Sequence, residues 1–566
     1  MASGDLLLAF DEATNALAAG HRDRRLRYLQ VLALARMEET ARARRLYEGH
    51  LAGNHDDLDI MALHARLLKD DGLRAGDQEM LRQASSLYAA VFDKTGAAFP
   101  AINAATLAFL AGDRRRADEL ARATIEALGP GQVPTHYYDA ATAAEAHLLL
   151  GDAGAAETAL SLAMTLPGSD LGARSSTSRQ LRRIVEASAG LRDVTDRLRP
   201  PPVLTYCGHM LVADPSREAE LSARIDAELD KLGSRIAFGA LACGADILIA
   251  ERLLARGGQI NVVLPFLPED FLRTSVASGG EAWVPRFEAC LARANEVVVA
   301  SATHDIGDDR QYEYCSMLMM GYARLRANHL GTSALQLAIW DEVELAGPAG
   351  TSADVRLWQG RGGRTIVLPF KRAGLPRPAA AGPVRSVSVP RAVRAMIFTD
   401  FAGFSRIDEA ALPQFWEAVI GTAASVIERF GDDVCARNTW GDALFVVTRS
   451  ASAAARLALA LQQALVPVRG QFGEGAGMRI SAHLGAVYEA LDPVTGRPTF
   501  FGREVNRTAR IEPITSVGEV YVTRAFAAVL EMDEPGSFEF SYVGRVPLAK
   551  DFGEESMYRL SPVRAA

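Results

Sequence analysis

Two acidic residues in the last third of this 566-residue chain have neighbours whose spacing suits chemistry. Asp400 follows an apolar run, residues 395–399, of the length and composition typical of a buried strand. Asp442 follows Gly441 between two apolar arms, a pattern that indicates a hairpin turn. Two carboxylates held side by side can carry divalent cations, whereas two acids in separate turns can equally be solvated turn residues. The pair alone leaves both interpretations open.

Three further stretches must position these acids. A helix is predicted over residues 409–430, where apolar residues recur at helical spacing. A second pair of strands is predicted on either side of Gly441 and Asp442. Farther along the chain, Asn506 and Arg510 are four residues apart, so they lie one turn apart on the same face of a predicted helix.

Three segments resemble the catalytic domain of the class III nucleotidyl cyclases. The two metal-binding segments of that family are similar to FTDFAGFS and NTWGDALF, which contain Asp400 and Asp442. The third segment of the family is similar to FFGREVNRTARIE, which contains Asn506 and Arg510. The segments occur in the family's order and spacing across residues 392–562. The resemblance implies a ferredoxin-like α+β cyclase domain at residues 391–566.

The resemblance also implies a reaction and a role for each residue. The ribose 3′-hydroxyl of a nucleoside triphosphate attacks the α-phosphorus, and pyrophosphate leaves. Asp400 and Asp442 would hold two Mg²⁺ or Mn²⁺ ions, which activate the hydroxyl and neutralise the triphosphate. Arg510 would stabilise the charge that develops on the phosphorus, and Asn506 would orient the ribose.

Further residues are predicted to bind the nucleotide. The backbone amides of Phe401, Gly403 and Phe404 lie at a strand-to-helix turn and are expected to cradle phosphate oxygens. Lys550 stands where the family carries a lysine for the terminal phosphates, and a solvated lysine is the alternative.

The two positions that read the base in the family are Asn438 and Thr499 in this chain. Threonine can accept a hydrogen bond from an exocyclic amine, whereas the amide of asparagine both donates and accepts. Asn438 lacks the carboxylate expected for guanine at its position, which mildly favours ATP. GTP and pyrimidine triphosphates stay open as substrates.

The family builds its active site between two domains, with the metal-binding acids from one and the asparagine and arginine from the other. This chain has one complete set of these residues in one cyclase domain. The resemblance therefore implies a homodimer with two equivalent sites, in which a monomer is inactive.

Composition indicates an ordinary globular protein, with 49% hydrophobic and 23% charged residues. A net charge of −8 argues against nonspecific DNA binding. No signal peptide and no membrane-spanning run is expected, so the predicted location is the cytoplasm. The five cysteines lack the spacing of a disulfide framework or a zinc site.

Residues 1–195 have helical periodicity with short breaks and predict an α-solenoid that resembles tetratricopeptide repeats. Two segments look like copies, each with an apolar helix, a Gly-Asp turn and a second alanine-rich helix. Their turns contain Gly112-Asp113 and Gly151-Asp152, and each aspartate is expected to cap the helix that follows. Such an array either binds a protein partner or serves as a structural or dimerisation domain.

Residues 200–370 alternate short buried strands with helices, which predicts a central doubly wound parallel α/β domain. The segment FGALACGADILIAERLLARGGQINVVLPF resembles the strand-turn-helix of the SLOG superfamily, whose Rossmann folds bind nucleotide-related ligands. Gly208, Gly239, Gly244 and Asp246 are the candidate ligand residues. The alternative is plain packing, because glycines are common in such turns.

Residues 371–390 are rich in proline, alanine and glycine and predict a semi-flexible linker. The order of domains resembles bacterial proteins with an N-terminal TRAFs-binding region. The sequence therefore predicts a regulated adenylate cyclase that forms cyclic AMP and pyrophosphate from ATP. The alternatives are a cyclase for GTP or a pyrimidine triphosphate in antiphage signalling, and a non-catalytic nucleotide-sensing scaffold.

Overall fold

The computed structural model describes residues 6–563 except positions 38, 55, 130, 189–192, 372–377, 379–388, 469, 474 and 549–551. The chain forms two compact units, Met1–Pro200 and Pro201–Ala566. The linker expected at 371–390 lies, except for four positions, outside the described residues.

The described part of the first unit is helical. Successive helices pack against each other from the first to the ninth, and the tenth packs against the eighth and the sixth. The helices are α1 (Leu6–Ala18), α2 (Arg24–Arg36), α3 (Thr40–His50), α4 (Leu58–Ala75), α5 (Gln78–Thr95), α6 (Ala98–Leu110), α7 (Arg114–Ala127), α8 (Tyr137–Leu149), α9 (Ala153–Ala163) and α10 (Leu171–Glu186).

The two predicted repeat copies have the same local structure. Gly112 and Gly151 both adopt positive φ, at 82° and 83°, where glycine is favoured. Asp113 then caps α7 by accepting from the Arg116 amide, and Asp152 caps α9 by accepting from the Ala155 amide. The predicted helix-turn-helix pairs and their aspartate caps are confirmed.

One lysine is buried inside the helical unit. Lys69 on α4 is only 8% exposed, and no hydrogen bond or ion pair to it is found within the described residues. Burial lowers the pKa of Lys69 from 10.5 to about 8, with Asp70 acting in the opposite direction. A buried ammonium without a close partner destabilises the fold.

We expect Lys69→Met to raise the free energy of unfolding at pH 7 by on the order of 2 kcal/mol. In the wild-type chain this cost should disappear as pH rises from about 8 to 10.5, because the unfolded state binds more protons in that window. All five tryptophans lie in the second unit. Tryptophan fluorescence therefore follows unfolding of the second unit alone. The part of the circular dichroism change that does not coincide with the fluorescence change reports unfolding of the helical unit.

The matched control is Lys94→Met, which changes an exposed lysine near the end of α5. This variant should leave stability and its pH dependence unchanged. Equal effects of the two substitutions would contradict the assignment of the cost to burial.

The second unit begins with a six-stranded parallel sheet in the order β4-β3-β2-β1-β5-β6. Its elements are β1 (Val203–Gly208), α11 (Pro215–Leu232), β2 (Ile236–Gly239), α12 (Ala245–Ala255), β3 (Gln259–Leu264), α13 (Pro268–Phe271), α14 (Val284–Ala292), β4 (Glu296–Val299), α15 (Asp309–Leu330), β5 (Ala334–Trp340), α16 (Thr351–Gln359) and β6 (Arg364–Pro369). All six strands expected in this region are present. The strand order changes direction between β1 and β5, because β2, β3 and β4 lie on one side of β1 and β5 and β6 lie on the other.

An eight-stranded mixed sheet follows, in the order β13-β14-β12-β10-β7-β9-β8 with β11 paired to β10. Its elements are β7 (Arg391–Ala402), α17 (Leu412–Phe415), α18 (Thr422–Glu428), β8 (Val434–Trp440), β9 (Ala443–Thr448), α19 (Ala451–Ala464), β10 (Gly477–Leu491), β11 (Pro498–Phe501), α20 (Arg503–Ile511), β12 (Val520–Thr523), α21 (Arg524–Asp533), β13 (Phe538–Pro547) and β14 (Glu554–Pro562).

Two sequence-based expectations for this domain need correction. The helix expected at 409–430 is broken by a π-helical segment, Trp416–Gly421, between α17 and α18. The strand expected at 395–399 is longer, so Asp400 lies inside β7 and pairs with a residue of β10. Because β7 extends beyond residue 399, Asp400 is paired with a residue of β10, and the register of the two strands decides which residue that is.

Two helical stretches, Glu409–Glu428 and Ala451–Val468, are long and apolar enough to cross a membrane by length and composition. The expectation that no such stretch exists is therefore not met. Helix α19 buries Ala454, Leu457 and Leu461 inside the domain. Because an apolar core helix passes the same test, these stretches are weak evidence for a membrane span.

Candidate active site

The acids predicted to bind metal come together where β7 meets the β8–β9 turn. The Phe401 amide at the end of β7 donates to Asp442 Oδ2 at 3.3 Å. Burial, and then the neighbouring Asp400 carboxylate, raises the pKa of Asp442 to about 6. Two carboxylates this close repel each other when both are ionised, and a bound cation would relieve that repulsion.

Two residues that the sequence analysis did not select complete this cluster. Arg479 on β10 lies opposite Asp400 in the strand register, and its guanidinium pairs with the Asp400 carboxylate. The same guanidinium lies 2.9 Å, Nε to Oε1, from Glu512, just after α20. Burial, and then Asp400, raises the pKa of Glu512 to about 7. In the sequence, the only indication that β10 contributes to this cluster was the single arginine, Arg479, within its apolar stretch.

The chemistry of this donor set fits Mg²⁺ or Mn²⁺. Magnesium keeps several waters and is held by one or two carboxylates together with substrate phosphates. Asp400 and Asp442 supply two such carboxylates. Within the described residues no cluster of three histidine, cysteine, aspartate or glutamate side chains forms a metal site. The arrangement therefore suits a cation that shares its coordination with a substrate.

Asn506 and Arg510 both lie on α20, as predicted. Asn506 is exposed, and Arg510 is half-buried with an Nε atom that is fully buried and lacks a hydrogen-bond partner. Across the described ranges, no hydrogen bond or ion pair joins either side chain to Asp400 or Asp442. The acids and the α20 pair are therefore not bonded to each other within the described residues.

The expected phosphate cradle is only partly available. The Phe401 amide is already bonded to Asp442, and the Phe401 ring is buried against Phe415 at 5.0 Å. Gly403 adopts φ +96°, and Phe404 begins a single 3₁₀ turn rather than an α-helix. The amides of Gly403 and Phe404 stay candidates for phosphate binding. Lys550 lies outside the described residues.

The two base-site residues lie on different strands. Asn438 on β8 is exposed, and its Oδ1 accepts from the Thr439 amide at 2.9 Å. Thr499 on β11 is half-buried and pairs with Ala490 of β10. Within the described residues the amide Nδ2 of Asn438 makes no hydrogen bond, so it can donate to a ligand, and Oδ1 can still accept a second bond.

An exposed aromatic surface adjoins this site. Trp440, next to the acidic turn, is 56% exposed and stacks on Phe398 and Phe445. Phe501 on β11 is also exposed and stacks on Tyr488 at 5.2 Å. Large exposed aromatic side chains are enriched at protein interfaces.

The candidate ligand residues of the central domain lie together at the carboxyl edge of its sheet. A Cβ on Gly208 would come within 2.3 Å of the Ala245 Cβ, and one on Gly239 within 2.3 Å of the Tyr206 ring. Gly244 has φ +97° and is packed against Leu211. These contacts explain all three glycines by packing inside the protein, and ligand binding stays a prediction.

Asp246, in the first turn of α12, is the remaining candidate of that group. Its Oδ2 accepts from the Ala242 amide, while Oδ1 is buried without a hydrogen-bond partner. Burial raises the pKa of Asp246 to about 7. An unsatisfied buried carboxylate oxygen of this kind is compatible with a ligand or with a protonated acid.

Comparison with known families finds two matches. Residues 390–562 match the adenylate and guanylate cyclase catalytic domain. Residues 8–108 match the Tetratricopeptide Repeats-Sensor family. Neither match includes the central domain, whose resemblance to the SLOG superfamily stays a prediction. No curated protein matches the chain.

Several solved structures are similar to the C-terminal part. The adenylyl cyclase CyaB from P. aeruginosa is 17% identical with a TM-score of 0.28, covering 31% of this chain and 98% of that one. The guanylate cyclase domain of RhGC from Catenaria anguillulae, in complex with GTP, is 18% identical with a TM-score of 0.27, covering 30% and 97%. An adenylate cyclase from Trypanosoma brucei is 21% identical with a TM-score of 0.27, covering 31% and 89%.

Proposed function

We propose that the chain is an adenylate cyclase, converting ATP to 3′,5′-cyclic AMP and pyrophosphate, on the premise that residues 390–562 match the adenylate and guanylate cyclase catalytic domain. The observation that carries the proposal is the closeness of the Asp400 and Asp442 carboxylates, which the β7–β9 register and the β8–β9 turn bring together. A scaffold without catalysis has no need for two acids that repel each other at this position.

When two divalent ions are bound, they would lower the pKa of the ribose hydroxyl and neutralise the triphosphate. Asp400 and Asp442 would hold them. Arg479 fixes the Asp400 carboxylate from the side of β10, so that acid is oriented before substrate arrives. Arg510 would stabilise the charge that develops at the α-phosphorus, and Asn506 would orient the ribose.

Support for a homodimer comes from the lack of any bond between the metal-binding acids and the α20 pair within the described residues. The buried, unpartnered Nε of Arg510 and the exposed Asn506 have no partner among the acids of the same chain within the described ranges. A second copy related by two-fold symmetry would bring the acids of one chain to the α20 pair of the other. The exposed rings of Trp440 and Phe501 suit the buried centre of such an interface.

The geometry at Asn438 supports adenine over guanine. Its Oδ1 already accepts from the Thr439 amide, and its Nδ2 makes no hydrogen bond within the described residues, so Nδ2 is proposed as the group that donates to the base. A donor suits the ring nitrogen of adenine, which is an acceptor, whereas the corresponding nitrogen of guanine carries a proton. The hydroxyl of Thr499 can accept from the adenine amine. Cytosine presents the same donor and acceptor pattern, so CTP is the second candidate.

We expect purified full-length protein with Mn²⁺ or Mg²⁺ to form cyclic AMP from ATP, with slower turnover of CTP and at least about tenfold slower turnover of GTP and UTP. The measurement is chromatographic identification of products from the four triphosphates, each supplied alone. A preference for GTP or UTP would contradict the proposed role of the Asn438 amide. No product from any triphosphate with either metal would contradict the proposed function.

We further propose that the helical unit and the central domain regulate this activity in the cytoplasm. The match of residues 8–108 to a sensor family supports the first part. A partner protein on the helices and a nucleotide-like ligand at the carboxyl edge of the central sheet are the proposed signals. Regulation requires that such a signal bind two states of the dimer unequally.

A further inference from the structure

Helix α15 belongs to the central domain and also packs against the cyclase domain. Its residue Gly321 lies so close to α21 that a Cβ there would be 2.5 Å from the Ala528 carbonyl oxygen. Two turns farther along α15, the side chain of Asn328 donates to Glu531 Oε1 of α21 at 2.8 Å. The two domains therefore meet through direct helix packing.

A half-buried ion pair joins the domains at the start of α21. Arg524 makes two contacts to the Glu296 carboxylate of β4, and its guanidinium stacks on the Tyr322 ring of α15 at 4.4 Å. The adjoining Thr523 Oγ1 accepts from the Phe526 amide and so caps α21. Its hydroxyl proton is then free to donate to His483 Nδ1, which is 2.8 Å away.

His483 lies on β10 and is buried. With Thr523 donating to Nδ1, the proton of the imidazole is on Nε2, which donates to Glu504 Oε2 at 2.9 Å. Burial raises the pKa of Glu504, but the bond from His483 and the nearby Arg507 outweigh it and leave that pKa lowered. Arg507 also binds Glu555 of β14 at 2.6 Å. These bonds connect α20 to β10 and to β14.

A second contact reaches the same point from the central domain. Tyr314 on α15 is 1% exposed, and its hydroxyl donates to the Leu484 carbonyl at 2.7 Å. Leu484 is the residue after His483 on β10. Both routes from the central domain thus end on β10. The route through Tyr314 ends at Leu484, and the route through Glu296 ends at His483, which is bonded to Glu504 of α20.

Helix α20 carries Asn506 and Arg510. Because Glu504 is on the same helix, two residues before Asn506, a shift of His483 would be passed to the α20 pair. Asp308, the cap of α15, also pairs with Arg391 at the start of β7, the strand that carries Asp400. Helix α15 is therefore bonded to β7, the strand that carries Asp400, and to β10 next to His483.

We propose that Tyr314 and Glu296 of the central domain are positioning residues for the cyclase reaction, which act through His483 and Glu504 to fix α20 relative to the acids. The proposal rests on the proposed cyclase function. It makes α15 the element through which the central domain reaches the active site. Near its start, the buried Gln311 is bonded to Thr303 and to the Ile306 amide, in the loop after β4 at the carboxyl edge.

The test is Tyr314→Phe in the full-length chain, which removes one hydroxyl and leaves the buried ring in place. We expect kcat to fall about 3- to 10-fold with KM for ATP within about twofold. The matched control is Tyr312→Phe, on the same helix. The Tyr312 ring packs edge-on against Phe266 of the central domain at 5.5 Å, so this variant should keep wild-type kcat.

Amide hydrogen exchange over residues 503–511 supplies a readout that does not depend on activity. Exchange there should be about threefold or more faster in Tyr314→Phe than in wild type and unchanged in Tyr312→Phe. Glu296→Gln should act in the same direction, and the double variant should lose less than the product of the single effects, because both routes share His483.

The outcomes separate the two proposals. Unchanged kcat and unchanged exchange in Tyr314→Phe would overturn the positioning role, as would a lower kcat that Tyr312→Phe shows equally. If the wild-type chain formed no cyclic nucleotide, the proposed function would fail. Faster exchange of 503–511 in Tyr314→Phe alone would then still support the positioning of α20 by the central domain.

Discussion

Replacement of either metal-binding acid, Asp400→Asn or Asp442→Asn, should lower kcat by about three orders of magnitude without unfolding the chain. The expected loss follows from removing a charged ligand of the ions that activate the attacking hydroxyl. Asp442→Asn should fold at least as well as wild type, because asparagine has the same shape and removes the repulsion that raises the pKa of Asp442 to about 6. Asp400→Asn also loses the ion pair with Arg479, so it should stay folded with slightly lower stability. Measurement of initial rates and of thermal unfolding on the same samples tests both parts.

The matched control for these variants is Asp408→Asn, an exposed acid close by in sequence that caps the turn at Ala410. It should keep nearly all activity. A metal-ligand variant that retained more than about a tenth of the wild-type rate would show that the ions are held elsewhere. Lower stability in Asp442→Asn than in wild type would contradict the electrostatic description of the cluster.

Mixing two inactive variants should restore activity. Asp400→Asn lacks the metal half of the site, and Arg510→Ala lacks the other half. In a mixed dimer one of the two sites receives the intact acids of one chain and the intact α20 of the other. With equal amounts and random exchange, half of the dimers are mixed and each has one working site, so about a quarter of wild-type activity should return.

The control mixture is Asp400→Asn with Asp442→Asn, which cannot form an intact site in any combination. It should stay inactive. If subunits exchange, as checked by light scattering of tagged chains, and the first mixture also stays inactive, the sites are not shared between subunits. Full activity of Arg510→Ala alone would instead remove that arginine from the mechanism.

Much of the C-terminal domain could be predicted because local patterns there agree with the fold. The apolar arms around Gly441-Asp442 predicted the hairpin, and the four-residue spacing of Asn506 and Arg510 predicted one face of α20. All six strands of the central sheet were likewise visible as short apolar runs. Such runs are read from neighbours in sequence, which is where strand and helix signals reside.

The neighbours of Asp400 could not be predicted in the same way. Arg479 lies 79 positions from Asp400, and Glu512 lies still farther along the chain. Only the register of β7 against β10 brings them together, and a shift of one residue would place Arg479 on the opposite face. The same reason hides Tyr314, whose partner Leu484 is 170 residues away.

The glycines of the central domain show a second limit of prediction from sequence, in which a visible pattern has more than one explanation. Their sequence pattern suggested close approach of a ligand, and the structure shows that Ala245, Tyr206 and Leu211 occupy the space a side chain would need. A glycine pattern reports that something approaches the backbone closely, but it does not say what. Tertiary packing is needed to identify the neighbour.

The sequence by itself determined the elements, the order of the domains and the residue types available for phosphoryl chemistry, because periodicity, turn residues and motif spacing are local properties. The tertiary structure alone decided that Asp400 shares Arg479 with Glu512, that the Phe401 amide is taken by Asp442, and that α15 is bonded to the cyclase domain. These contacts join residues far apart in sequence, and their geometry depends on strand register and helix packing. No local pattern encodes either of them.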